Sequence, residues 1–214
     1  MKKVLSNCVA GSLIALSAST AMSYEKGDMI FRSGMATVNP SSSGSALGFD
    51  LDVDDDTAIG FTGIYMIRNN VGVELLASTP FEHDINLEGT GLQAGSTKHL
   101  PPTLSVQYFP LDSKSKFQPY VGLGINWTIF FDEDADSDLE GVLGSEAGLH
   151  LDNSVGLTYQ VGFDYAIDDK WLVNASYWSM DIDTDATLSF NGTKAQFGVE
   201  IDPNVLMIGV GYKF

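Results

Sequence analysis

Residues 154–167 set Val155, Leu157, Tyr159, Val161, Phe163 and Tyr165 against Gly156, Thr158, Gln160, Gly162 and Asp164, an unbroken period of two. Successive side chains of an extended chain point to opposite faces, so such a run must set one face against something apolar. The same period recurs, and eight strands are predicted over 28–38, 57–67, 71–79, 102–109, 120–131, 154–167, 171–181 and 205–214. In 120–131, Val121, Leu123, Ile125, Trp127 and Ile129 oppose Gly122, Gly124, Asn126 and Thr128; in 205–214, Leu206, Ile208, Val210, Tyr212 and Phe214 oppose Met207, Gly209, Gly211 and Lys213. A soluble sandwich or barrel would bury the bulky face inward, whereas a membrane barrel turns it out to lipid. Alternation alone allows both.

The connections discriminate. Arg68-Asn69-Asn70, residues 110–119 and Asp168-Asp169-Lys170 are short, whereas 39–56, 80–101, 132–153 and 182–204 are long. Strict alternation of long and short links is expected of an outer-membrane barrel, with tight turns at the periplasmic end and long loops outside. No stretch after residue 24 approaches eighteen consecutive apolar residues, so closed strands are the remaining way across a bilayer.

Aromatic residues sort by end too. Tyr65, Tyr108, Tyr120, Tyr165, Trp171, Tyr212 and Phe214 fall beside the short turns, and Phe81, Trp127, Phe130, Phe131 and Trp178 fall toward the long loops. Amphipathic rings favour the headgroup level, so two interfacial belts are predicted. Phe214, the last residue of an apolar-faced strand, is placed as an outer-membrane assembly signal.

Eleven Lys and Arg stand against 28 Asp and Glu, a formal charge of −17, which opposes nucleic-acid binding because that relies on clustered cations. Lys2 and Lys3 precede a ten-residue apolar stretch from Val9 to Ala18, with Ala21 and Ser23 at the −3 and −1 positions of a cut before Tyr24. Residues 1–23 are thus predicted to be a signal peptide and 24–214 the barrel domain. Removing the leader removes Cys8, the one cysteine, so neither a disulfide nor a thiolate metal site is expected.

Five stretches carry a family resemblance: 71–81 (VGVELLASTPF), 98–103 (KHLPPT), 117–132 (FQPYVGLGINWTIFFD), 171–183 (WLVNASYWSMDID) and 209–214 (GVGYKF). In order and spacing they resemble the OmpW family of small outer-membrane barrels; the outer loops match poorly and are unusually acidic. The resemblance implies a narrow, largely hydrophobic interior that passes small hydrophobic molecules. It also implies that Leu76 and Trp178, which match by motif and by inward parity, close the channel. Plain filling of a narrow lumen remains the alternative for the same two side chains, since eight strands leave room for little else. Parity places Glu74, Asn126, Gln160 and Asn174 inside as polar lumen residues.

Acidic runs mark three loops: Asp50, Asp52, Asp54, Asp55 and Asp56; then Asp132, Glu133, Asp134, Asp136 and Asp138; then Asp181, Asp183 and Asp185. They are read as solvated loops held open by like charge, with no specific metal site, since the second run lacks the glycine and terminal glutamate of an EF-hand. His83, His99 and His150 lie in long loops without the spacing of a catalytic triad, so they are read as rim residues and no enzyme or cofactor is expected. Expected partners are outer-membrane lipid and lipopolysaccharide, small hydrophobic solutes and the assembly machinery. The competing reading is a non-transporting surface barrel whose acidic loops serve as receptor or adhesin.

Overall fold

The computed structural model describes residues 24–41, 45–46 and 49–214; the signal peptide predicted over 1–23 lies outside them. In chain order the elements are β1 (Met29–Asn39), β2 (Ser45–Ala46), β3 (Phe49–Val53), β4 (Asp56–Arg68), β5 (Val71–Ser78), β6 (Phe81–Leu87), β7 (Leu92–Leu100), β8 (Thr103–Tyr108) and β9 (Phe117–Ala135), then α1 (Ser137–Leu143), β10 (Ala147–Leu151), β11 (Ser154–Ala166), β12 (Trp171–Met180), β13 (Asp183–Phe190), β14 (Thr193–Glu200) and β15 (Asn204–Lys213). Eight of them, β1, β4, β5, β8, β9, β11, β12 and β15, pair antiparallel each with the next, and β15 pairs back onto β1. The sheet is therefore a closed eight-stranded barrel with no free edge among these strands. Their ends agree with the predicted segments to within one residue except in β9, which begins at Phe117 and continues to Ala135.

Outward positions are apolar throughout: Val121, Leu123 and Ile125 on β9, Tyr159, Val161 and Phe163 on β11, and Leu206, Ile208 and Val210 on β15 are all exposed. Inward positions shrink to glycine where strands crowd. Gly34 and Gly209 face each other across the β1–β15 pair that closes the ring. A Cβ on either would come within 2.2 Å of a backbone oxygen of the opposite strand, so no larger residue fits there.

The 19 residues of β9 extend about 60 Å, roughly twice what a bilayer crossing needs, so its upper half stands clear of the membrane. A β-bulge at Asp132, with φ of 50°, marks the change of course, where Ser96 pairs with Asp134 but Lys98 with Phe131. The long links are not open loops. The β6–β7 hairpin pairs onto upper β9 and carries β3 on its far side, while β10, β13 and β14 make a second small sheet. Helix α1 sits between them, started by the Asp136 carboxylate accepting from the Asp138 N–H and ended by Gly144 in the left-handed region. This corrects the expectation of charge-splayed loops. Alternate residues Leu51, Leu87, Leu151, Leu188 and Val199 are buried in one core, while Asp50, Asp52, Asp54, Asp132 and Asp134 face water. Burying one such side chain contributes about 1.5–3 kcal/mol, whereas repulsion between exposed, screened charges costs less.

The periplasmic aromatic ring holds Tyr65, Tyr108, Tyr165 and Trp171 facing outward, with Trp171 edge-on to Tyr212 and Tyr212 edge-on to Phe214. Tyr120 does not belong to it. Only 2% exposed, it shares inward parity with Gly122, Gly124 and Asn126 and points into the lumen. The outer belt also loses Phe81, Phe130 and Trp178, which are buried inside, whereas Trp127 faces out.

Candidate functional site

The lumen is layered along its axis. At the periplasmic foot, Tyr24 folds back from the start of the described chain into the barrel, its N–H donating to the Ser113 carbonyl at 3.0 Å. Its ring packs edge-on against Phe109 at 5.2 Å, and Phe109 packs against Tyr120 at 5.2 Å. Turns among residues 24–28 hold this cork, with Gly27 N–H donating to the Met66 carbonyl and Lys26 N–H to Asn69 Oδ1.

Above it lies a charged layer. Arg32 on β1 is wholly buried between Glu74 on β5, at 3.1 Å, and Asp164 on β11. Glu74 also accepts from Gln107 at 2.8 Å and from Gln160 at 3.0 Å. Asp164 accepts from the Tyr24 hydroxyl at 2.6 Å and from Asn174 at 2.8 Å, and Asn174 also donates to the Tyr120 hydroxyl at 3.0 Å. Ions at membrane depth persist only when paired and hydrogen-bonded, and each carboxylate here has an ion partner and further donors. One step higher, Asn126 donates to Thr158 at 3.2 Å and to the Asp181 carbonyl at 3.0 Å. All four predicted polar lumen residues thus lie inside, but Glu74 and Gln160 join one network and Asn174 another, with Arg32 bridging them, while Asn126 stands apart. Reasoning from sequence missed Arg32, Asp164, Tyr24 and Gln107. A usable signal existed for two: Asp164 shares the inward parity of Gln160, and Arg32 is a cation inside a strand, where a buried counter-charge is required.

The lining then becomes apolar. Leu76 on β5 and Trp178 on β12 border the same space of about 10 Å³, together with Ala36, Phe81, Met180 and Val205. That is at the lower limit for one water. Above this level, the loop layer roofs a second cavity of about 60 Å³, walled by residues such as Leu51, Leu87, Phe130, Leu151, Leu188 and Val199. Two of its lining residues are histidines. His83 and His99 were read as rim residues, yet both are buried and their rings stack at 5.0 Å, with Phe81 stacked on His99 at 5.4 Å. The alternation that turns Phe81 inward on β6 turns His83 inward as well. His99 lies outside the membrane-spanning segments, and burial, with His83 as a lesser cause, holds its imidazole down at about 3. It is neutral at ordinary pH. His150 stays exposed, its Nδ1 3.5 Å from Glu133 Oε1.

At the rim, the exposed carboxylates of Asp181, Asp183 and Asp202 lie within 4.8 Å of one another. Partial desolvation, then the charges of Asp181, Asp202 and Glu200, pushes the Asp183 carboxyl above its ordinary range. An exposed cluster of this kind is ordinary surface chemistry.

Closure without an edge, an apolar outer band, aromatic residues at the periplasmic end and folded outer hairpins together define a small outer-membrane β-barrel. The chain belongs to the OmpW family, whose profile matches residues 25–214. It is 43% identical to Outer membrane protein W of Escherichia coli over 220 residues, covering the whole of both chains. The crystal structure of the outer membrane protein OprG from Pseudomonas aeruginosa superposes with a TM-score of 0.82 at 41% identity, covering 92% of this chain and 99% of that one. More distantly, it is 25% identical to the dibenzothiophene metabolism operon protein PahQ of Pseudomonas aeruginosa over 169 residues, covering 78% of this chain and 76% of that protein. The protein is accordingly an outer-membrane protein.

Proposed function

We propose that the barrel is a narrow conduit for small hydrophobic molecules, received in the outer cavity and held at an apolar constriction formed by Leu76 and Trp178. The observation that carries this is the apolar lining, which runs from the roofed cavity through His99 and Phe81 to Trp178 and stops at the charged layer of Arg32, Glu74 and Asp164. An apolar solute gains by burying its surface in the upper half, at about 25 cal/mol per Å², and gains nothing among the buried ions below. An apolar constriction also resists ions, which cannot replace their hydration there. The name of the relative PahQ ties that protein to the metabolism of an apolar aromatic compound, which agrees with this reading. The reading is of a transport barrel and not an enzyme. Of the three histidines, two are stacked in apolar surroundings and the third is on the surface beside Glu133 and Asp152.

The test is uptake of a labelled hydrophobic compound by cells lacking the protein, complemented with wild type, Trp178→Ala or Leu76→Ala. Trp178→Ala should widen the constriction and raise both uptake and planar-bilayer conductance, with Leu76→Ala doing so more weakly because it removes less volume. If neither variant changes uptake or conductance, the two side chains are lumen filling and the surface-receptor reading takes precedence.

A further inference from the structure

His83, which lines the outer cavity, carries a buried atom that nothing in the fold explains. Its Nδ1 lies 2.6 Å from the carbonyl oxygen of Asp54. A carbonyl can only accept, so Nδ1 carries the proton and, in the neutral ring, Nε2 is left with a bare lone pair. That Nε2 is buried and meets no protein partner, although the ring lines the cavity. A buried acceptor without a donor costs about 1–3 kcal/mol, so an arrangement that keeps one beside a cavity favours a guest that supplies a donor. At the constriction below, Trp178 Nε1 is a buried donor that likewise has no protein partner. One kind of group satisfies both atoms in turn. A hydroxyl donates to His83 Nε2 and accepts from Trp178 Nε1, whereas an ether or carbonyl serves only the indole and an alkane serves neither. A carboxylate is disfavoured, because the neutral His99 beside His83 supplies no counter-charge and, Thr97 and Thr128 apart, the remaining walls are apolar.

We infer that the cavity selects apolar molecules bearing a single hydroxyl, such as phenols and medium-chain alcohols, with His83 Nε2 as the group that reads the hydroxyl and Trp178 Nε1 as the next to meet it. This rests on the conduit reading above and sharpens it from hydrophobic molecules in general to neutral, hydroxyl-headed ones. The cavity at rest, about 60 Å³, is smaller than the roughly 150 Å³ that accommodates benzene, so a guest enters as the roofing hairpins part.

Phenol and toluene, alike in shape and differing in the hydroxyl, are suitable probes. Saturable binding of each to the refolded full-length barrel in micelles is measured by ligand-observed NMR for wild type and His83→Phe, which keeps an aromatic ring for stacking. Partitioning into detergent is common to both proteins and cancels in the comparison. The preference for phenol relative to toluene should fall about 3- to 10-fold in His83→Phe, with toluene affinity unchanged. In wild type, which needs no variant to fold, the ¹⁵N resonance of His83 Nε2 should move on adding phenol and stay still on adding toluene. An unchanged preference in the variant, or a resonance indifferent to bound phenol, would overturn the assignment of His83 while leaving the conduit intact. Absence of saturable binding of both probes to wild type would overturn the conduit reading itself.

Discussion

The hydroxyl of Tyr24 donates to Asp164 Oδ2 at 2.6 Å across 140 residues of chain, tying the segment before β1 into the charged layer of the lumen. A hydrogen bond to a charged group contributes about 1.5–3 kcal/mol. Tyr24→Phe should therefore lower the temperature at which the folded band converts to the unfolded band on a gel. Tyr24→Ala should lower it further, since the packing on Phe109 goes too. A midpoint unchanged in both variants would show that residues 24–28 are not a cork.

Arg32 holds two carboxylates, so its removal is more damaging than the loss of one ion pair. Arg32→Met leaves Glu74 and Asp164 buried without a cation, at a cost of about 3–5 kcal/mol. Adding Glu74→Gln and Asp164→Asn to that variant should restore most of the stability, because amides need hydrogen bonds and not a counter-charge. Urea unfolding of the single and triple variants in lipid vesicles reads the difference directly.

Val161→Arg or Leu123→Arg should destabilise the barrel by about 2–4 kcal/mol, the expected cost of a cation on the lipid face near the bilayer midplane. Folding yield into vesicles measures it. Stability equal to wild type would mean these side chains do not face lipid, which would contradict the outward parity of β9 and β11.

The neutral state of His99 gives the outer layer a pH dependence. Its folded-state value of about 3 is below the ordinary 6.5, so the folded protein takes up that proton less readily than the unfolded chain. Its contribution to stability is complete above pH 6.5 and is lost as the pH falls from 6.5 toward 3. The His99 ring resonances should show no titration between pH 7 and 5, and the protection of β6 and β7 amides, corrected for the slower intrinsic exchange in acid, should fall as the pH drops. A ring midpoint near 6.5 would show instead that His99 is solvated.

Strand positions and barrel closure were legible in the chain because both rest on local regularities. Alternation is a property of each strand separately, and the sorting of links into long and short needs no knowledge of contacts. Inward parity was likewise enough to place Leu76, Trp178, Glu74, Asn126, Gln160 and Asn174 inside. Tyr120 shows where shorthand failed, for its parity with Gly122 and Gly124 outranks its position beside a turn. The outer hairpins were hidden because their strands are short and carry little pattern, even where acidic and apolar residues alternate as in Asp50, Leu51 and Asp52.

What the sequence determined by itself is the set of side chains that face the lumen, since a period of two assigns each residue to one face. Which of them meet was decided by the closed ring alone. Arg32 reaches Glu74 and Asp164 across separations of 42 and 132 residues, and the strand register that sets their heights is fixed only when β15 returns to pair with β1. The burial of His83 and His99 was decided in the same way, by hairpins folding onto the upper half of β9 and enclosing rings that the chain alone leaves looking like rim residues. Facing is a local property of extended backbone, whereas contact across a lumen depends on the register of every strand between.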